Sequence, residues 1–415
     1  MKSNTKKQLF NIFIVLALSA ITIVTILLNS NELNFDNIKK FVADANPIYI
    51  VAAFVCWICF VLFEALSIHL ILKSFKIKPK IKSSIAYSTS DIYYSAITPS
   101  ASGGQPASAY YMIRDGISSG ISSFTLVFNL IGYTAAILII GSFSLIFGFD
   151  IFLNLPGFVK FLIIFGFVTQ VLLLIFFIAC MCRHNLVKKF CFFIVKLLSK
   201  IKIIKNKDKW FNKIESLVDK YKSCYEELKS HKKTIIPVIL INVAQRLSQM
   251  LISVFICKSA YDCSFIEMTF MQGFVLLGYN SLPIPGGSGA FEYLYLKIYT
   301  LSLPASYVVV SMMVTRFISY YFSIIVSGIY TLVYHMVATK NKNNKDTDLN
   351  ETNDNKINNE TNNDASLDDK SINNTSNNDE NNDNNTSNYD NKINNVELSN
   401  DESNKNKSNN LEIIQ

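Results

Sequence analysis

The chain of 415 residues is 50% hydrophobic, has a positive mean hydropathy and carries a formal net charge of +8. Almost all its apolar residues precede about Lys340, so the composition excludes an ordinary soluble domain and describes a polytopic helical membrane protein. The basic excess lies in two loops and bears on topology before partners, and no nucleic-acid role follows from it. The eight cysteines lie mostly inside apolar runs without accompanying histidines, so neither a disulfide framework nor a zinc site is implied. Cys56 and Cys59 have the spacing of two small apolar side chains on one helix face.

In chain order, residues 9–28 form the first run that reaches the roughly 20 apolar residues needed to cross a hydrocarbon core. Lys2, Lys6 and Lys7 precede it and no small-residue cleavage pattern follows, so it reads as a retained span with the N-terminus cytoplasmic. The loop 29–46 mixes Glu32, Asp36, Lys39, Lys40 and Asp44 and is placed outside. The second run, 47–72, ends against Lys73, Lys76, Lys78, Lys80 and Lys82, which marks that end as cytoplasmic.

Runs 121–149 and 158–182 are joined by a segment without basic residues, which reads as external, and the densely basic stretch that follows reads as cytoplasmic. The run 121–149 must then start inside, where the second span has just ended. Residues 83–120 therefore enter and leave on the cytoplasmic side. Their apolar parts, 85–97 and 107–113, are too short to span and have the length of re-entrant segments. The run 234–257 leads outward, and the last run, 307–337, must end inside because Lys340, Lys342 and Lys345 follow. Residues 264–303 therefore enter and leave on the external side.

The expected fold is all-α, with about six full spans plus two re-entrant helical hairpins in an inverted repeat of 47–149 against 234–337. Residues 1–339 form the membrane domain. Within it, the basic segment 185–233 suits an amphipathic helix on an anionic inner leaflet or a solvated connector. Residues 340–415, dominated by Asn, Asp, Lys and Ser, are expected to be a disordered cytoplasmic tail. The setting is the cell membrane, with both termini cytoplasmic.

A Gly/Pro-broken backbone at membrane depth is tolerated only where it is buried in protein or lines a watery cavity. In the first hairpin, Thr98, Pro99, Ser100, Ser102, Gly103, Gly104 and Gln105 form such a break. Gly103 and Gly104 would let backbone N–H groups approach an anion at the start of the next half-helix. In the second, Pro283, Pro285, Gly286, Gly287 and Gly289 do the same, with Glu292 one turn further on. That carboxylate would repel an anion unless a cation intervenes. A tight turn or close helix packing accounts for either glycine pair taken singly; two breaks at corresponding positions point to function.

Charges within spans are functional hypotheses by default. Glu64, Arg246 beside Gln245, and Arg316 lie in spans, while Asp91 sits on the entering arm of the first hairpin and Arg114 and Asp115 close it. An arginine can hold a phosphate bidentately, and Glu64 could balance it or carry a proton. Mutual pairing of Glu64, Arg246 and Arg316 is the structural alternative. The candidate ligand residues are thus Thr98, Ser102, Gly103, Gly104, Gln105, Arg114, Arg246, Gly286, Gly287, Glu292 and Arg316, with Glu64 and Asp91 as candidate coupling groups. There is no P-loop, nucleophile elbow or metal-spaced cluster, so no catalytic residue, cofactor or metal is expected, and transport would be passive or ion-driven.

The stretches TPSASGGQPASAYYMIRDGIS (98–118), PIPGGSGAFE (283–292) and VTRFISYYFSIIVSGIY (314–330) resemble the membrane domain of the lysylphosphatidylglycerol synthase/flippase family, the multiple peptide resistance factors and their flippase-like relatives. The resemblance covers roughly the first 340 residues. It implies a translocator for an anionic or aminoacylated phospholipid such as lysylphosphatidylglycerol. Full-length members add a cytosolic domain that transfers lysine from lysyl-tRNA to phosphatidylglycerol. Here only the Asn-rich segment follows, too poor in apolar residues to fold into an acyltransferase. The alternative reading, a phosphatidylglycerol lysyltransferase contributing to cationic antimicrobial peptide resistance, would therefore need a separate catalytic domain. Implied partners are a membrane phospholipid, a separately encoded aminoacyltransferase or glycosyltransferase, and further copies in a homo-oligomer.

Overall fold

A computed structural model describes residues 35–98, 101–182, 232–282 and 284–337, with a few positions between 188 and 195. The span expected at 9–28, nearly all of the basic insert and the C-terminal tail lie outside the described residues, as do Pro99, Ser100 and Pro283. Among the described residues every regular element is helical.

Helix α1 (Phe35–Asp44) leads into α2 (Pro47–Ser74). The α2 start is set by Pro47 in the first turn and by Asn46, whose Oδ1 accepts the Ile48 N–H at 3.0 Å. Along α2, Val51, Val55, Ile58, Leu62 and Leu66 face outward while Trp57, Phe60, Glu64, Ile68 and Ile71 are buried. Leaving such aliphatic side chains in water forfeits about 1.5–3 kcal/mol each, so this outer stripe belongs against lipid chains. Four further helices are long and apolar enough to cross a membrane: α5 (Ser119–Phe147), α7 (Gly157–Cys182), α8 (Ile235–Ala260) and α11 (Ala305–Val337). The short α6 (Phe149–Asn154) joins α5 to α7.

Two helix pairs between these are too short to cross. Helices α3 (Ile81–Ile97, 17 residues) and α4 (Gly104–Arg114, 11 residues) lie between α2 and α5. Helices α9 (Phe265–Asn280, 16 residues) and α10 (Ala290–Tyr299, 10 residues) lie between α8 and α11. Each falls below the roughly 20 residues of a span. Long helix, short pair, long helix thus occurs in each half of the chain.

The two pairs start from opposite ends of the bundle. Ile71 and Phe75 near the end of α2, Phe124 near the start of α5 and Val238 near the start of α8 share one apolar cluster, and α3 departs from that end. At the other end the Asn46 N–H, before α2, donates to the Ser259 carbonyl of α8 at 2.8 Å, and α9 departs from there. Helices α2 and α8 therefore run antiparallel along their shared face.

A buried polar seam fixes how these helices are rotated. Asn242 Nδ2 on α8 donates to Ser67 Oγ on α2 at 3.0 Å and to Asn129 Oδ1 on α5 at 3.3 Å, and Ser67 Oγ donates to the same Asn129 oxygen at 2.5 Å. In hydrocarbon such groups have only one another as partners, which makes them ties between helices. One turn from the seam stand Glu64 on α2, Tyr133 on α5 and Arg246 on α8, so the seam turns all three toward a common space. The largest apolar cluster lies beside it, where Met271, Phe274 and Leu277 of α9 pack on Leu294, Tyr295 and Ile298 of α10 and Met250 and Val254 of α8.

Candidate functional site

That common space is a cavity of about 700 Å³ between the tips of the two short helix pairs. Of the residues singled out by sequence, Glu64, Asp91, Gln105, Arg246, Gly286, Gly287 and Arg316 line it. Thr98, Ser102, Gly103, Gly104, Arg114 and Glu292 do not.

In the first break, Thr98 Oγ1 accepts the Gly103 N–H at 2.9 Å and donates to the Tyr94 carbonyl at 2.6 Å, which closes the turn. Gly104 opens α4 so close to α3 that a Cβ there would lie 1.9 Å from Asp91 Oδ1 and 2.0 Å from Ser95 Oγ. Gln105 Nε2 reaches Asp91 Oδ2 at 2.8 Å, and Ser95 Oγ reaches Asp91 Oδ1 at 3.0 Å. The start of α4, where the sequence suggests a site for an incoming anion, is thus held against the protein's own carboxyl group. The reason is local: without a Cβ at Gly104 the two arms close until Asp91 occupies the space.

The second break is an arginine socket. Gly286 and Gly287 have φ of +59° and +65°, a region that L side chains rarely adopt, and this turns both carbonyls toward α11. Arg316 Nη1 donates to the Gly286 carbonyl at 3.0 Å, Nη2 to the Gly287 carbonyl at 3.2 Å, and Nε to Glu292 Oε1 at 2.7 Å. The other Glu292 oxygen accepts the Gly289 N–H at 2.6 Å and so closes the first turn of α10. The cation needed beside Glu292 is Arg316, stacked over the Phe291 ring with Cζ 4.1 Å from its centroid. Of the three residues of the structural alternative, Arg316 pairs with Glu292 and with neither Glu64 nor Arg246.

Tyr320, one turn beyond Arg316, joins the two tips. It lies in a π-helical turn (Phe317–Phe322) of α11, donates its hydroxyl to the Ala96 carbonyl of α3 at 3.1 Å, and lays its ring against Gly286.

Arg246 differs from Arg316. Its guanidinium sits over the rings of Tyr133 and Phe60, 4.2 and 5.1 Å from their centroids, and Nη1 donates to Gln249 Oε1 at 2.7 Å. Its Nε is buried without a hydrogen-bond partner, and among the described residues no ion pair reaches it. Gln245 turns away from it to donate to Glu64 Oε2 at 3.2 Å.

Arg114 belongs to a separate cluster. It lies between the Tyr111 and Tyr334 rings at 4.8 and 5.1 Å, with Nη1 3.2 Å from His335 Nδ1. Beside it Asp115 accepts from Tyr87 at 2.8 Å and from Tyr334, fastening α4 to the end of α11. Tyr133, Gln249, Phe60 and Tyr320 are site residues that sequence reasoning missed. Only Gln249, one turn from Gln245 and next to the face of Arg246, had a readable signal; aromatic residues in apolar spans carry none.

Long apolar helices around a cavity that holds buried charged side chains, with two short helix pairs reaching it from opposite ends of the bundle, define a multi-pass helical membrane protein. The family model described as the lysylphosphatidylglycerol synthase TM region matches residues 12–327, and the chain belongs to that family. No curated protein matches it.

Proposed function

We propose that the protein is a lipid translocator whose cavity receives the phosphate-bearing head group of an anionic or aminoacylated phospholipid, with Arg246 as the phosphate ligand. Family membership supports a role in lysylphosphatidylglycerol synthesis or translocation. The observation that carries the reading is Arg246 itself: a guanidinium in the cavity, 7% exposed, with an unsatisfied buried Nε. A buried guanidinium N–H without an acceptor is costly, and a phosphate in the cavity would supply charge-assisted acceptors to the arginine. Arg316, held by Glu292 and two carbonyls, has no such need; it shapes the wall the ligand meets. Gln105, Gln249 and Tyr133 supply neutral polar contacts around the head group. A separately encoded lipid-modifying enzyme would provide an aminoacylated substrate.

The test is reconstitution into vesicles with head-group-labelled phosphatidylglycerol and lysylphosphatidylglycerol, following exchange between leaflets by accessibility to an external quencher. Exchange should require the protein and fall sharply in Arg246→Ala. Unchanged exchange in an Arg246→Ala, Arg316→Ala double variant would reject this site.

A further inference from the structure

Glu64 on α2 and Asp91 on α3 both line the cavity that holds Arg246. Both are more than nine-tenths buried, at 6% and 7% exposure. Asp91 accepts a neutral donor on each oxygen, from Ser95 at 3.0 Å and from Gln105 at 2.8 Å. Glu64 accepts one, from Gln245 at 3.2 Å. Two ionised carboxylates facing one arginine would leave a net negative charge in this enclosed space, so burial favours one proton held on the carboxyl pair. Asp91, with two donors stabilising its ionised form against one at Glu64, leaves Glu64 the better holder of that proton.

The surrounding charges complete the count. The titratable and charged groups that line the cavity with the pair are Arg246 from α8, Tyr133 from α5, Tyr279 from α9 and Tyr320 from α11. Arg316 from α11 is neutralised by Glu292. With one shared proton the pair carries one negative charge, which balances Arg246 across the cavity. A phosphate that engages the unpartnered Arg246 Nε brings a second negative charge into the same enclosed space. Neutrality returns when Asp91 takes up a second proton.

We infer that Glu64 and Asp91 form a proton-binding site linked to Arg246, so that an anionic head group and a proton bind the cavity together. This rests on the head-group reading above and adds what sets its occupancy. Linkage makes the effect reciprocal: uptake of one proton on binding makes affinity rise as pH falls, by up to about tenfold per pH unit. A proton gradient would then bias the direction in which the head group is loaded and released.

The experiment uses the full chain in nanodiscs of zwitterionic lipid, with short-chain phosphatidylglycerol as the probe and pH varied from mildly acidic to mildly basic. Affinity should increase toward acid in the wild type, and Glu64→Gln and Asp91→Asn should each flatten that slope. Infrared difference spectra of the ligand-free wild type should show a protonated-carboxyl C=O band that Glu64→Gln removes, a readout that needs no lipid. Phosphatidylglycerol binding without a pH slope, or ligand-free protein without the band, overturns the proton site while leaving the head-group reading intact. A band with no phosphatidylglycerol binding at any pH overturns the head-group reading, and the linkage with it.

Discussion

Arg316 Nε stands 2.7 Å from Glu292 Oε1, and the two side chains are 9% and 6% exposed. This contact joins α11 to the first turn of α10, and through the Gly286 and Gly287 carbonyls it also fixes the preceding break. Removing one member strands a buried charge, which typically costs about 3–5 kcal/mol. Arg316→Ala and Glu292→Ala should each lower the thermal unfolding midpoint in detergent strongly. The double variant should lose much less than the sum, because neither charge is left alone. Additive losses would show that the two residues act independently.

Arg246 should behave in the opposite way. Its guanidinium makes one strong hydrogen bond, to Gln249, and on its loss Glu64 and Asp91 can take up a second proton in place of the missing counter-charge, so the bundle is little disturbed. Arg246→Ala should unfold near the wild-type temperature, yet lose the charge-assisted bonds to phosphate. At about 1.5–3 kcal/mol for such bonds, affinity for phosphatidylglycerol should fall about ten- to hundredfold. Arg246→Lys should recover only part of this, since an ammonium cannot stack on Tyr133 and bind bidentately at once. Equal binding by wild type and Arg246→Ala would remove Arg246 from the site.

Much of this arrangement was legible because the membrane simplifies the reading. Lysine placement and run length alone anticipated the long helices at 47–72, 121–149, 158–182, 234–257 and 307–337 and the two short pairs between them. Gly286, Gly287 and Gly289 were legible as a break because only glycine takes their φ values readily. What the break receives was not, since Arg316 lies 29 residues beyond Gly287 and nothing local announces the pairing. The same holds for Gly104, whose neighbour Asp91 comes from the preceding helix. The ties among Ser67, Asn129 and Asn242 were equally hidden: single polar residues in three separate apolar runs become a seam only when packing brings them together.

Gly286 is the most demanding of these positions. A Cβ there would lie 2.2 Å from Tyr320 Cε2, and φ of +59° costs a non-glycine residue about 1–2 kcal/mol by itself. Gly286→Ala should therefore destabilise the protein by about 2–4 kcal/mol once displacement of Tyr320 is included. Leaflet exchange should fall as well, because Tyr320 holds the first tip through Ala96. Gly157→Ala, where a Cβ meets nothing within 4 Å, is the control and should leave both measurements unchanged. A Gly286→Ala protein as stable as that control would show that the break tolerates another backbone path.

The opposed entry of the two helix pairs has a direct chemical consequence. Lys78 and Ser118 flank α3 and α4 at the bundle end marked by Phe75 and Phe124, while Asp262 and Leu301 flank α9 and α10 at the end marked by Ser259. All four side chains are exposed, so a cysteine at any of them is open to reagent once the membrane side is right. In a background with the native cysteines replaced by serine, Lys78→Cys and Ser118→Cys should react with an impermeant maleimide from one side only. Asp262→Cys and Leu301→Cys should react only from the other. The first side is expected to be the cytoplasmic one, since Lys73, Lys76, Lys78, Lys80 and Lys82 all fall there. Labelling of all four from one side would refute the inverted arrangement. It would also remove the reason for two tips to meet at a cavity between the faces of the membrane.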